Sequence, residues 1–221
     1  MPLPLVLASV RSSLADALGL LFPVWCAGCD QAGRDLCEGC VALLTAAAPS
    51  DRDVDGLAVR SALRFDGVAA SVVRGLKEDG RTGLARPLGA LLARACSGAA
   101  WDDCLLVPVP TSRASLRRRG YAVVELLAER TERPWAPLLR IARTAADQRR
   151  LGRDDRARNV AGTLRATDAA AATSVVILDD VVTTGATLRE ARRALERAGA
   201  NVRGALTLAD TPRRFPPVIP P

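Results

Sequence analysis

Two adjacent carboxylates, Asp179 and Asp180, follow the apolar run 175–178 and precede a small, hydroxyl-rich segment that ends at Thr187. The apolar run predicts a buried strand. Carboxylates at its carboxyl end can accept hydrogen bonds from a vicinal diol, and the segment after them offers backbone N–H groups to a phosphate at the start of the next helix. An ordinary strand-to-helix turn would explain the apolar run. It would not explain the two carboxylates, because their desolvation costs free energy that a purely structural turn does not offset. We therefore expect a ribose-phosphate site.

The elements that must position this segment are predicted by hydrophobic periodicity. Strands are expected at 59–65, 104–109, 138–142, 175–178 and 202–208, and helices at 68–77, 86–96, 121–130 and 188–198. Alternating strands and helices predict an α/β fold, in which a parallel sheet is flanked by helices. Ligands of such sheets bind at the carboxyl ends of the strands, where the Asp pair is expected to lie.

Four cysteines form two C-x-x-C hooks: Cys26, Cys29, Cys37 and Cys40. This spacing is typical of a site in which two tight turns present four thiolates to one tetrahedral zinc ion. The chain has no histidine, so a mixed Cys/His site is excluded. Disulfides are the alternative, but the paired spacing in a cytoplasmic setting favours metal. Four protein ligands would leave no open position, so the zinc would be structural.

Basic residues outnumber acidic ones by 31 to 24, and the excess lies in one segment. Between Thr111 and Arg165 there are fourteen arginines and six acidic residues. A solvated basic face is one interpretation. The other interpretation is that the segment binds a polyanion such as pyrophosphate or nucleic acid, because it precedes the expected ribose-phosphate strand. The single lysine, Lys77, closes a predicted helix, where it would suit either the helix C-terminus or a bound anion.

A length of 221 residues allows one substantial core with a small appendage. The expected parts are an N-terminal amphipathic helix (1–22) within a zinc module (1–48), a linker (46–55), the main domain (56–212), a mobile polar loop inside it (144–162), and a Pro-rich tail (213–221). No apolar run reaches the ~18 residues of a membrane span. A soluble, cytoplasmic protein is therefore expected.

The stretch from Asp179 to Thr187 resembles the motif by which type I phosphoribosyltransferases bind phosphoribosyl pyrophosphate (PRPP). Over nearly the whole chain, the order of parts resembles the ComF family, competence-associated proteins that join a four-cysteine zinc module to a phosphoribosyltransferase-like domain. The residues that carry this resemblance are Leu21-Phe22-Pro23, Leu76-Lys77, Val107-Pro108-Val109-Pro110, Arg118-Arg119-Gly120-Tyr121, Gln148, Arg158-Asn159-Val160, and Asp179 to Gly185. One departure is Ala122-Val123, where the family usually has Asn-Gln.

The resemblance implies a role for each matching position. Asp179 and Asp180 would hold the ribose hydroxyls as the catalytic pair, and Mg²⁺ would accompany PRPP. The whole PRPP-binding run would comprise Asp179, Asp180, Val181, Val182, Thr183, Thr184, Gly185, Ala186 and Thr187. The pyrophosphate would meet Lys77, Arg118, Arg119 and Gly120. A flexible hood over the site would include Gln148, Arg158 and Asn159.

The resemblance also implies a function. We expect a PRPP-binding, phosphoribosyltransferase-like protein that takes part in DNA uptake during natural competence or in the processing of incoming single-stranded DNA. One alternative is an active transferase that passes ribose 5-phosphate from PRPP to an unidentified base. Another is a scaffold whose zinc module docks a DNA-uptake helicase. Aromatic residues make up 3% of the chain, so the stacking platforms usual for single-strand binding are sparse.

Overall fold

The computed structural model describes residues 24–97, 101–142 and 162–211. The expected helix over 1–22, the hood residues Gln148, Arg158 and Asn159, and the tail over 213–221 lie outside these ranges. Short 3-10 helices are present at Thr82–Leu84 and Asp168–Ala170. The α-helices and strands of the described residues are, in chain order, α1 (Glu38–Ala46), β1 (Ser50–Val54), β2 (Leu57–Arg64), α2 (Gly67–Lys77), α3 (Ala85–Ser97), β3 (Leu105–Pro108), α4 (Arg113–Arg119), α5 (Val123–Glu129), β4 (Leu139–Ile141), β5 (Leu164–Ala166), β6 (Ser174–Val182), α6 (Ala186–Arg197) and β7 (Asn201–Asp210).

Five strands form the central sheet in the order β1-β2-β7-β6-β3. β1 runs antiparallel to β2, and the other neighbours are parallel. The predicted α/β fold, with a mostly parallel sheet and flanking helices, is therefore confirmed. The strand expected at 138–142 is present as β4, but it pairs with β5 in a separate two-stranded antiparallel sheet. No helix in the described ranges is long and apolar enough to cross a membrane.

The sheet has an apolar core on each face. On one face, Val176 and Leu178 of β6 pack with residues of α2, α3 and α5. On the other face, Val175 and Ile177 pack with residues of α6. Since successive side chains of a strand point to opposite faces, burial of both faces makes this part of β6 a continuous apolar run. The two carboxylates that follow in the strand continue the alternation.

The residues expected to form a linker include a strand. Ser50–Val54 pair along their whole length with β2, so the linker interpretation is wrong for this stretch. Its side chains alternate between exposure and partial burial up to Val54, which is buried. Charged side chains such as those of Asp51 and Arg52 are common on an edge strand, and a strand of this kind has no alternation of apolar residues in its sequence.

The helix α4 precedes α5 and was not predicted. Ser112 caps it, since its Oγ accepts the N–H of Ser115 at 3.1 Å, and none of the helix's residues is buried. A helix without an apolar face gives no periodic signal. The helix expected from Tyr121 begins at Val123, whose side chain lies in the core. The departure at Ala122-Val123 therefore extends the apolar face of α5.

Gly89 of α3 lies where this helix meets the end of α5. A Cβ at Gly89 would be 2.3 Å from the Cβ of Arg130 and 2.8 Å from its carbonyl carbon. We expect Gly89→Ala to lower the free energy of unfolding by about 1–3 kcal/mol, because the clash outweighs the ~1 kcal/mol by which Ala favours a helix. Urea denaturation measures the change. In the control Gly39→Ala, the added methyl meets nothing within 4 Å; equal stability of the two variants would contradict the expectation.

Candidate functional site

Asp180 and Lys77 form an ion pair at the carboxyl end of the sheet. Lys77 Nζ lies 2.8 Å from Asp180 Oδ2, and the two side chains are 24% and 18% exposed. Lys77 is the last residue of α2, which packs on the same face as Val176 and Leu178. The strand alternation directs Asp180 to that face, which explains the pairing. The lysine therefore lies beside the Asp pair and is not simply a cation at a helix end.

Asp179 belongs to the opposite face and is almost fully buried, with 9% of its surface exposed. Its Oδ1 accepts the N–H of Asp180 at 2.8 Å. Burial raises the pKa of Asp179 to about 7, and the charge of Asp180 adds to the rise. Thr207 lies opposite Asp179 on β7, Ser61 lies opposite Thr207 on β2, and their hydroxyl oxygens are 2.7 Å apart. Polar side chains of the three adjacent strands β6, β7 and β2 thus lie opposite one another at Asp179.

The raised pKa of Asp179 predicts that this carboxyl destabilises the fold when it ionises. The unfolded carboxyl ionises near 3.8 and the folded one near 7, so the stability that the protonated form contributes is lost as pH rises between these values. Asp179→Asn keeps an acceptor for the neighbouring N–H and carries no charge. Relative to the wild type, we expect its free energy of unfolding to rise by on the order of 3 kcal/mol between about pH 4 and pH 8. Urea denaturation at both pH values measures this; a difference that does not vary with pH would contradict it.

The turn after the Asp pair leads into the amino terminus of α6. Gly185 precedes this helix with φ +77°, and a Cβ there would lie 2.5 Å from Val54 Cγ1. Both the left-handed backbone and the close approach of Val54 require glycine. The N–H of Arg189 bonds back to the Gly185 carbonyl at 3.0 Å. The amides before it, at the start of α6, have no carbonyl partner within the helix and can therefore face an anion. Among them, the Ala186 N–H contacts Thr184 Oγ1 at 3.4 Å.

Arg52 of β1, which sequence reasoning missed, contacts the same turn. Its Nη1 lies 2.6 Å from Asp210 Oδ1, and its Nη2 donates to the Thr183 carbonyl at 2.8 Å. The β1–β2 connection also reaches α6, because Asp55 Oδ2 lies 2.8 Å from Arg189 Nη1. The hairpin therefore supports the turn from one side. Nothing local in the sequence indicates this contact, since Arg52 and Thr183 are 131 residues apart.

Part of the predicted pyrophosphate segment lies close to Lys77. The Tyr121 hydroxyl donates to the Leu76 carbonyl, one residue before Lys77. Burial raises the pKa of Tyr121, and the charge of Arg119 opposes the rise, so Arg119 lies near this hydroxyl. Arg119 is half-buried, and its Nε has no hydrogen-bond partner within the described residues. The Tyr121 contact therefore joins this segment to the end of α2, and Arg119 lies two residues before Tyr121.

The structure shows less about the other residues that were predicted to contact pyrophosphate or to form the hood. Arg118 and Gly120 are exposed at the end of α4. Gln148, Arg158 and Asn159 lie outside the described residues. Their roles therefore stay predictions.

Four cysteine sulfurs come together near the start of the described chain. The Sγ atoms of Cys26, Cys29, Cys37 and Cys40 all lie within 4.8 Å of one another. A tetrahedral zinc ion with Zn–S bonds of about 2.3 Å needs sulfurs about 3.8 Å apart, so the cluster fits such an ion. Burial opposes ionisation of Cys26, but the N–H groups of Cys37 and Gly28 donate to its sulfur and lower its pKa to about 6. The cluster can therefore bind a metal such as zinc.

The cysteine cluster packs against α2 and the segment after it. Arg81 donates to the carboxylate of Asp35 at 2.9 Å. A Cβ at Gly28 would lie 2.8 Å from Val68 Cγ1, in the first turn of α2. Lys77 ends the same helix. The cluster thus supports the helix that carries the lysine of the ion pair.

A separate polar cavity lies at the far end of α6. Its volume is about 420 Å³, and Arg165, Arg193 and Arg197 are among the residues that line it. Arg193 is paired with the buried Glu190 at 2.7 Å, and Glu190 also accepts the N–H of Leu164. The Glu190–Arg193 pair therefore joins β5 to α6. The cavity is a second place where a phosphate could meet arginine side chains.

Comparison with protein families matches residues 117–218 to the phosphoribosyl transferase domain. Among solved structures, the chain is similar to the allosteric regulatory enzyme of purine biosynthesis, with 21% identity and a TM-score of 0.36. It is also similar to the glutamine phosphoribosylpyrophosphate amidotransferase from B. subtilis complexed with ADP and GMP, with 22% identity and a TM-score of 0.37. Each alignment covers 70% of this chain but 27% and 28% of the two enzymes, so the chain spans little more than a quarter of their length. No curated protein matches the chain.

The matched range includes β6, the Asp pair and the amino end of α6. The sheet has the mostly parallel order expected of an α/β ligand-binding domain. The four cysteines lie before the matched range. Residues 117–218 are therefore similar to a phosphoribosyl transferase domain, and a four-cysteine cluster precedes this range.

Proposed function

We propose that this protein binds PRPP, or a related ribose 5-phosphate, at the segment from Asp179 to Thr187. The observation that carries the proposal is the junction of β6 and α6. Here one carboxylate is buried, the next is paired with Lys77, and the amino terminus of a helix follows at once. The match of this region to the phosphoribosyl transferase domain supports the same ligand.

Each part of the junction would bind one part of the ligand. Asp179 and Asp180 would accept hydrogen bonds from the two vicinal ribose hydroxyls. The amides from Thr184 to Thr187 would donate to the 5-phosphate, whose charge the helix dipole favours. Because the pKa of Asp179 is about 7, this carboxylate is fully ionised only above neutral pH. Binding of ribose 5-phosphate should therefore strengthen as pH rises through about 7.

The proposal extends to phosphoribosyl transfer from PRPP to an acceptor base. Loss of pyrophosphate builds positive charge on the sugar and negative charge on the leaving group, so the site needs charge stabilisation more than a nucleophile. Lys77 is the cation at the end of α2, and Arg119 lies two residues before Tyr121, which contacts the same end of α2. Arg118 and Gly120 would complete the pyrophosphate segment. Mg²⁺ bound with PRPP would further neutralise the pyrophosphate oxygens.

Two measurements test binding and transfer separately. Calorimetric titration with PRPP and Mg²⁺ should show one ligand per chain. Pyrophosphate release, followed with each nucleobase in turn, should depend on one of them. A folded protein that does not bind millimolar PRPP would refute the proposed ligand. Binding without release in the presence of every base would refute transfer and leave a PRPP-binding protein.

A second function, contact with single-stranded DNA as the ComF resemblance implies, is supported by α4. This helix carries Arg113, Arg117, Arg118 and Arg119, and none of its residues is buried. A basic helix without core contacts is a surface that nucleic-acid phosphates can approach. In this role the protein would act on incoming strands in the cytoplasm. Fluorescence anisotropy with an oligonucleotide should show affinity that falls steeply with salt; affinity independent of salt would contradict direct contact.

The cysteine module supports docking of a partner such as a DNA-uptake helicase. Its exposed apolar side chains are those of Val24, Trp25, Val41 and Leu43. Exposed apolar groups on a small module are typical of a protein-binding surface. A Leu43→Ser variant should keep its zinc and lose helicase binding in a pull-down; unchanged binding would refute docking through this surface.

A further inference from the structure

We infer that Arg52 is a positioning residue of the phosphate-binding turn and acts through the carbonyl of Thr183. The inference rests on the proposed function, because it concerns the turn that would hold the 5-phosphate. Arg52 lies on β1, outside the range 117–218 that matches the phosphoribosyl transferase domain. The hairpin of β1 and β2 would therefore belong to the ligand site although it precedes that range.

The first step concerns the peptide group between Thr183 and Thr184. A trans peptide is planar, so its C=O and its N–H point in opposite directions. Arg52 Nη2 holds the Thr183 oxygen at 2.8 Å, and the Thr184 N–H therefore points away from Arg52. The reverse orientation would present a carbonyl oxygen, which repels a phosphate. Arg52 thus fixes the orientation in which the turn offers a donor.

The second step is that Arg52 is itself held in place. Its side chain is 13% exposed, and its Nη1 lies 2.6 Å from Asp210 Oδ1. Asp210 ends β7 and lies opposite Val182 of β6, so it is fixed by the sheet. A guanidinium that binds two fixed partners has little freedom to turn, and its bonds are charge-assisted. Arg52 therefore connects the end of β7 to the turn that follows β6.

The third step is that the hairpin contacts the turn at a second buried point. Val54, which is 3% exposed, fills the space beside Gly185. The nearby pair of Asp55 and Arg189 has side chains that are 70% and 45% exposed, so it adds little. Val54 and Arg52 are two residues apart on one strand and contact turn residues that are also two apart. The hairpin therefore supports the turn on both sides of Thr184.

The test compares Arg52→Met with Arg60→Met. Arg60 lies on the same hairpin and pairs with Asp51 at 2.7 Å, with a side chain that is 21% exposed. It is thus an ion-paired arginine of similar burial, bonded to a different carboxylate. Ribose 5-phosphate is titrated into both folded variants and the wild type. We expect affinity to fall about 10-fold in Arg52→Met, the loss of one charge-assisted hydrogen bond, and to stay within about twofold in Arg60→Met.

The ligand-induced shift of the Thr184 amide resonance distinguishes a positioning role of Arg52 from a general loss of stability, which would not change this shift alone. In the wild type, its ¹H–¹⁵N signal should shift on addition of ribose 5-phosphate, and in Arg52→Met this shift should be lost while the other amides stay in place. Arg52→Lys, which has a single donor centre, should also weaken binding, and it replaces Arg52→Met if that variant does not fold. No response in the wild type would overturn both the proposed function and this inference. A wild-type response that Arg52→Met retains, with unchanged affinity, would overturn the inference alone.

Discussion

Replacing Asp179 and Asp180 together by Asn is expected to weaken the binding of ribose 5-phosphate at least ~30-fold. Hydrogen bonds to charged groups contribute about 1.5–3 kcal/mol each, so the loss of two charged acceptors costs about 3–6 kcal/mol. Removing negative charge would by itself favour an anionic ligand, but between partly solvated groups this gain is about 1 kcal/mol. The hydrogen-bond loss therefore dominates. Calorimetric titration of the folded variant measures the change in affinity.

The matched control is the pair Asp102→Asn and Asp103→Asn. These two carboxylates are also adjacent, are exposed, and precede β3 at the amino end of the sheet. Their replacement changes the net charge by the same amount without touching the junction of β6 and α6. Affinity should stay within about threefold of the wild type. Equal loss in both double variants would assign the effect to net charge and contradict the proposed role of the Asp pair.

Loss of the cysteine cluster has the second large expected effect, which concerns stability. Structural zinc contributes about 10–16 kcal/mol to the folding of isolated zinc-finger peptides. In a Cys26→Ser, Cys29→Ser variant we expect the bound zinc to be lost, together with amide protection over residues 24–46. Because Gly28 packs on α2, which ends at Lys77, ribose 5-phosphate affinity should fall as well. Metal analysis, hydrogen exchange and calorimetry measure the three effects.

The control for this variant is Cys96→Ala with Cys104→Ala. Both residues are buried cysteines outside the cluster. Their truncation should cost about 1–2 kcal/mol of stability and leave the zinc content unchanged. Full protection of residues 24–46 in the Cys26→Ser, Cys29→Ser variant would show that the cluster does not stabilise the module, and a wild-type protein without zinc would contradict the metal assignment.

The parts of the site that the sequence predicts are those built from consecutive residues. The strand, the Asp pair and the turn up to Thr187 follow one another along the chain, so residue type and order already define their arrangement. The four-cysteine cluster can be predicted for the same reason, because each C-x-x-C hook needs only a local turn. Apolar periodicity likewise predicted most of the helices and strands, since it reports which side of an element is buried.

The parts that escaped prediction depend on contacts between distant segments or lack an apolar pattern. Arg52 contacts Thr183 only because β1 and β2 form a hairpin at the edge of the sheet. The charged residues of β1 are typical of a linker, so the sequence did not predict this strand. The pairing of Lys77 with Asp180 needs both the strand alternation and the packing of α2 on one face of the sheet. The helix α4 has no buried residue, so no periodicity marks it. In each case the missing information is tertiary.

A crystal structure of the protein with PRPP and Mg²⁺ is the most direct test of the central claim. The two vicinal ribose hydroxyls should lie within hydrogen-bond distance of Asp179 and Asp180, and the 5-phosphate should lie against the amides from Thr184 to Thr187. A ligand phosphate bound among the arginines at the far end of α6, with no ligand atom in contact with the Asp pair, would contradict the account.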